Sequence, residues 1–129
     1  MPIAANVIAA PVASGDTVRT TLGSITLPAN AKRIVGVWAY GCAGAAITTA
    51  EAVSGIVEFE FSGLPNAPPN LDLPLDIIQV LTSGAVAFSP RVWEVDYSPA
   101  ANVVITCFVT MDMAQTGALT CRYGIIYEY

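Results

Sequence analysis

The chain has 129 residues, of which 54% are apolar types and only 12% are charged, with a single lysine, no histidine and a net charge of −5. A chain of this length holds one domain around one core. Without histidine the usual base for a Ser or Cys nucleophile is missing, and five scattered Lys and Arg residues argue against direct binding of nucleic-acid phosphates. Charged residues are about half as frequent as in ordinary soluble domains. So few charges do not cover a monomer's exterior, which predicts an oligomer whose partners are copies of itself.

Residues 1–15 are expected to be an arm and residues 16–129 one β-sandwich domain. Met1 to Ser14 is rich in Ala and Val and is interrupted by Pro2 and Pro11; Val12-Ala13-Ser14 is similar to a cleavage site, but with no basic residue before it the stretch is expected to be a flexible arm. No apolar run approaches the roughly 20 unbroken residues that cross a bilayer, so no membrane span is expected.

From there the hydrophobic pattern repeats every second residue, and helical periodicity is nearly absent. A first strand is predicted over Thr17 to Leu27, closed by Pro28-Ala29-Asn30. Arg33 to Cys42 follows, with Ile34, Gly36, Trp38 and Tyr40 on one face and Val35, Val37 and Ala39 on the other; apolar on both sides, it reads as a central strand. Ala43 to Ser54 suits a loop or one short helical turn around Thr49 to Val53. Ile56 to Ser62 alternates cleanly, Val57, Phe59 and Phe61 pointing inward and Glu58 and Glu60 outward.

Gly63 to Pro74 carries four prolines, which remove ladder donors, so a loop or extended edge is expected there. Short strands follow over Asp76 to Leu81 and Ala85 to Phe88. Arg91 to Tyr97 places Trp93, Val95 and Tyr97 opposite Val92, Glu94 and Asp96, before a turn at Ser98 to Asn102. Val103 to Met111 and Ala118 to Tyr129 complete about eight strands. The economical fold is a single antiparallel eight-stranded β-sandwich, with jelly-roll topology favoured and an immunoglobulin-like sandwich as competitor.

Few residues offer chemistry. If the last two strands form a hairpin, Cys107 faces Cys121 at a separation compatible with a disulfide, and equally with two buried thiols acting as small apolar groups. Cys42 is left unpaired either way. No cysteine spacing suits a metal, and no cofactor is expected. Glu58 with Glu60, and Glu94 with Asp96, offer carboxylate pairs for glycosidase chemistry or calcium, although solvated strand faces explain them more simply. Asp72 and Asp76 have the same standing. Trp38, Tyr40, Trp93 and Tyr97 would make a sugar platform if two shared an exposed face, whereas alternating aromatics are more often core. Tyr127 and Tyr129 close a stripe with Leu119, Cys121, Tyr123 and Ile125, mostly buried, whose last members are placed to touch a neighbouring subunit.

The apolar N-terminal arm, the run Thr20-Thr21-Leu22-Gly23-Ser24-Ile25-Thr26-Leu27-Pro28 and a last strand ending on Tyr129 resemble viral capsid and virion-decoration jelly rolls. The resemblance implies a structural, non-enzymatic tile in the virion that assembles as a homo-oligomer with copies of itself and other virion proteins. Coat proteins that package RNA add a basic arm, which Met1 to Asp16 lacks. That departure implies a shell that does not grip its genome, or a protein clamped outside one. The competing expectation is a lectin-like, carbohydrate-binding sandwich.

Overall fold

The computed structural model describes residues 3–12, 18–43, 55–64, 70–79, 91–112 and 119–129. Among these residues every regular element is a strand: β1 (Ile3–Val12), β2 (Thr20–Thr26), β3 (Arg33–Ala43), β4 (Gly55–Ser62), β5 (Asn70–Gln79), β6 (Trp93–Tyr97), β7 (Val104–Met111) and β8 (Leu119–Glu128). The alternation seen in the sequence becomes burial. On β4, Val57, Phe59 and Phe61 are buried while Ile56 and Ser62 are exposed and Glu58 and Glu60 partly so.

The strands form two antiparallel sheets. In one, β8 lies between β1 and β3, and β3 also pairs with β6. In the other, β7 lies between β2 and β4, and β4 pairs with β5. β5 links them: residues 70–75 run antiparallel to β4, and residues 76–79 run parallel to β3. At the far ends of this path β1 and β2 lie against each other.

The inner faces enclose one core. β8 contributes Cys121, Tyr123, Ile125 and Tyr127, facing Val57, Phe59 and Phe61 of β4 and Ile105, Cys107, Val109 and Met111 of β7. Each such aliphatic or phenyl side chain stabilises the fold by about 1.5–3 kcal/mol when fully buried. Two edge-to-face aromatic pairs join the sheets, Phe59 with Tyr123 at 6.1 Å and Phe61 with Tyr97 at 5.2 Å. One end is closed where the turn after β2 meets the loop before β7. There Leu27 N–H donates to the Val103 carbonyl, Ala100 N–H to Lys32 and Asn102 N–H to Pro28, burying Leu27, Ala31, Ala100 and Val103.

Seven of the eight expected strands have counterparts, and the one expected over Ala85 to Phe88 lies outside the described residues. So does the helical turn expected around Thr49 to Val53. Four expectations are corrected. The stretch read as an arm holds β1, paired with β8 along its full length; Ala and Val there fill a ladder position instead of a tether. The strand expected from Asp76 begins six residues earlier, at Asn70; Pro74 stands on the extended edge that the prolines allowed, since over residues 70–75 only the β4 side is paired and a missing N–H is tolerated there.

Third, β3 carries a bulge between Ile34 and Gly36, seen against both β6 and β8. The extra residue reverses the alternation, so Ile34 and Val37 are both fully buried and Trp38 and Tyr40 lie on the opposite face from Ile34. Fourth, β7 and β8 are not a hairpin. They belong to different sheets, and Cys107 and Cys121 reach the core from opposite sides of the sandwich.

Candidate functional site

The interior offers no open chemistry. Cys107 and Cys121 are free and almost wholly buried. Burial pushes the Cys121 thiol up to about 11, and it raises Cys107 further, with the neighbouring Cys121 adding to the rise. Both remain protonated at neutral pH and act as small apolar groups. Beside them the buried Tyr123 hydroxyl has no hydrogen-bond partner, and burial, then Cys107, raises its pKa as well. Cys42 lies on β3 opposite Thr120.

The aromatic candidates separate by face. Trp93 and Tyr97 point inward from β6 and pack against the core, so they share no exposed platform with Trp38. Arg91 lies over the Trp93 ring at 5.2 Å. Tyr127 is buried, while Tyr129, 6.3 Å from it, is 40% exposed. The carboxylate pairs separate too. Glu58 and Glu60 lie on the outer face of one sheet, Glu94 and Asp96 on the outer face of the other, with the whole core between them, so the two pairs do not converge on one bond or ion. Among the described residues no group of three His, Cys, Asp or Glu side chains is placed to hold a metal.

What remains are the two outer faces. On the β2–β7–β4 sheet, Arg19 donates from Nε to Glu58 at 2.7 Å and from Nη2 to Glu60 at 2.9 Å. Its guanidinium covers the Phe108 ring at 3.6 Å. Asn70 donates to the other Glu58 oxygen at 2.6 Å, and Ser24 and Thr106 hydroxyls pair at 3.0 Å. These polar groups satisfy one another.

The outer face of the β8–β3–β6 sheet is built differently. Trp38 pairs across the ladder with Gly124, and its indole lies directly over that glycine: a methyl group there would run into indole atoms Cε2, Cζ2 and Nε1. The same ring stacks on Tyr40 at 5.8 Å and 17°. Beside it a groove of about 370 Å³ is lined by Val35, Gly36, Val92, Val95 and Ile126, together with Arg33, Glu94, Asp96 and Glu128. Val92, 44% exposed, leans over Gly36 so closely that a Cβ there would sit 2.9 Å from its Cγ1.

Among the described side chains, charge on this face lies at its two ends. At one end Arg33 pairs with Glu128 at 2.7 Å and Asp96 at 3.5 Å, and Glu94 stands exposed nearby. The Arg33 hydrogen bond holds the Glu128 carboxyl below the ordinary glutamate range. A second open depression, of about 560 Å³, lies past this end between Lys32, Arg33, Ser98 and Glu128. At the other end Arg122 is exposed and donates to the Tyr40 hydroxyl at 3.4 Å.

Sequence reasoning singled out Trp38 but not Gly124, Arg122 or Arg33. The signal for Gly124 is present in retrospect: it interrupts the outward series Arg122, Ile126, Glu128 with the one residue that leaves room for a ring. No described helix is long and apolar enough to cross a membrane. No protein-family model, curated protein or solved structure matches the chain.

Proposed function

We propose that the chain is a structural virion protein, a capsid or capsid-decoration subunit of jelly-roll topology that assembles through apolar contacts with copies of itself. The observation that carries this reading is the nesting of the strand pairs: β1 with β8, β2 with β7, β3 with β6 and β4 with β5, all antiparallel. A ribbon folded back on itself in that order and wrapped around one core is the jelly-roll plan, built from two Greek keys. The parallel contact of residues 76–79 with β3 is an addition to that plan.

Supporting it is the distribution of function-bearing groups. Polar chemistry is spread over outer faces instead of gathered in a cleft, while one of those faces is apolar at its centre. A tile needs such surfaces, and symmetry repeats one contact many times. Light scattering on a sizing column, followed by negative-stain microscopy, tests the proposal. Oligomers, rings or shells are expected, and a monodisperse 13.4 kDa monomer at high concentration overturns it.

The competing reading, a lectin-like carbohydrate-binding module, is favoured by one observation, the stacked pair Trp38 and Tyr40 on an outer face. It predicts that glycans change the tryptophan emission. Emission that ignores a glycan panel removes it.

A further inference from the structure

We propose that Trp38 and Tyr40 form a binding strip for a linear, uncharged, β-linked polysaccharide, with two successive sugars lying one on each ring. The proposal rests on the carbohydrate reading above and adds to it which ligand is taken and how it lies. A subunit of a shell can carry such a strip on an outer face, so the tile reading is not disturbed.

The strip follows from the ladder. Trp38 and Tyr40 are two residues apart on β3, so both leave the same face, and their partners on β8 are Gly124 and Arg122. Each ring leans towards its own partner. A methyl on Gly124 would meet indole Cε2, Cζ2 and Nε1 at almost the same distance, so one face of the indole is laid towards the backbone of β8 and the other is turned away from the sheet. Tyr40 lies the same way, its hydroxyl accepting from Arg122 Nη1 at 3.4 Å. With 17° between their planes and 5.8 Å between their centres, the two rings are near parallel and overlap little, so they present two successive faces.

An aromatic face carries negative charge density and takes the axial C–H groups of a pyranose, which are apolar and slightly positive. The spacing of the two centres is close to the repeat of one sugar in an extended β-linked chain, whose rings are flat and alike along its length. Wound α-linked chains curve away from a straight strip.

The groups at the Tyr40 end favour hydroxyls. Arg122 of β8 and Asp76 of β5 are both level with Tyr40, on opposite edges of β3. One cation and one anion in the same row select neither an acidic nor a basic partner, whereas a sugar hydroxyl donates and accepts at once. A guanidinium carries more donors than one tyrosine hydroxyl takes up, so Arg122 can serve the protein and a ligand together. Nucleobases also stack on flat rings, but a nucleic acid brings phosphates, and beyond Gly36 the same face sets Glu94, Asp96 and Glu128 against Arg33 alone among the described side chains. A proline-rich peptide docks in an aromatic-walled groove, which rings laid on a sheet do not form.

The test uses the full-length protein in isothermal titration and tryptophan emission. Cellohexaose and chitohexaose are the probes, glucose and α-linked maltohexaose the controls, and circular-dichroism melting verifies that each variant folds. One or both probes are expected to bind and to shift the emission. Trp38→Ala is expected to abolish binding, and Tyr40→Ala to weaken it about tenfold, the loss of one stacking contact. Should Trp38→Ala fail to fold, Tyr40→Ala carries the test. Glucose or maltohexaose binding as tightly as the probes overturns the straight strip and leaves the carbohydrate reading standing. Probe binding that Tyr40→Ala leaves unchanged uses another surface and overturns it equally. A proline-rich peptide that binds where the probes do not makes this a peptide site and overturns it too. If no sugar gives heat or a change of emission, this proposal and the carbohydrate reading both fall, and the tile reading is untouched.

Discussion

The two outer faces of this sandwich come from strands of similar length over the same core, yet they are finished in opposite ways. On the β2–β7–β4 face the apolar ring of Phe108 is capped by Arg19, and Arg19 is in turn held by Glu58 and Glu60. On the β8–β3–β6 face no charged side chain among the described residues caps the tryptophan, which lies over a glycine, and Arg33 with Glu128, and Arg122, stand towards the two ends. The first face is complete in water. The second has hydrophobic area at its centre that water does not reward, which is the arrangement of an interface core with a polar rim.

Variants on either side sharpen this contrast, with the shared core as reference. Phe59→Ala removes the ring that meets Tyr123 across the sheets and is expected to destabilise the fold by about 3–5 kcal/mol in urea unfolding. Gly124→Ala drives a methyl into the Trp38 indole and is expected to cost about 1–3 kcal/mol, with a red shift of tryptophan emission as the ring is displaced outward. If Gly124→Ala is neutral, the indole is not seated on the glycine and the contrast between the two faces fails.

Tyr123→Phe deletes a buried hydroxyl that has no partner and is expected to stabilise the protein by about 1 kcal/mol; a loss of stability would mean the hydroxyl is satisfied in solution. On the polar face Arg19→Ala is expected to cost the least of these substitutions in urea unfolding, since its ion pairs are half exposed, and added salt should shrink the difference.

The smallest effect is in pH. The Glu128 carboxyl is held low by Arg33, so its contribution is present above the ordinary glutamate pKa and is lost as pH falls through the lowered value. Thermal melts of Glu128→Gln should therefore fall less steeply than wild type as pH drops below about 4.5, where an unfolded glutamate already protonates.

Alternation alone determined that this chain is all-β, where most strands lie and which residues of β4, β6 and β8 face inward, because a period of two commits every second side chain to one face of a sheet. It also fixed the separation of Glu58 and Glu60 from Phe59 and Phe61. Tertiary structure decided what depends on pairing between distant strands. The bulge in β3 turned Trp38 and Tyr40 away from Ile34, the division of β7 and β8 between two sheets replaced a hairpin with thiols facing across the core, and β8 recruited the N-terminal stretch as β1. None of these is a local preference. Each is set by which backbone edge is left open once the other strands have packed, and that information lies in the whole ladder and not in any one segment.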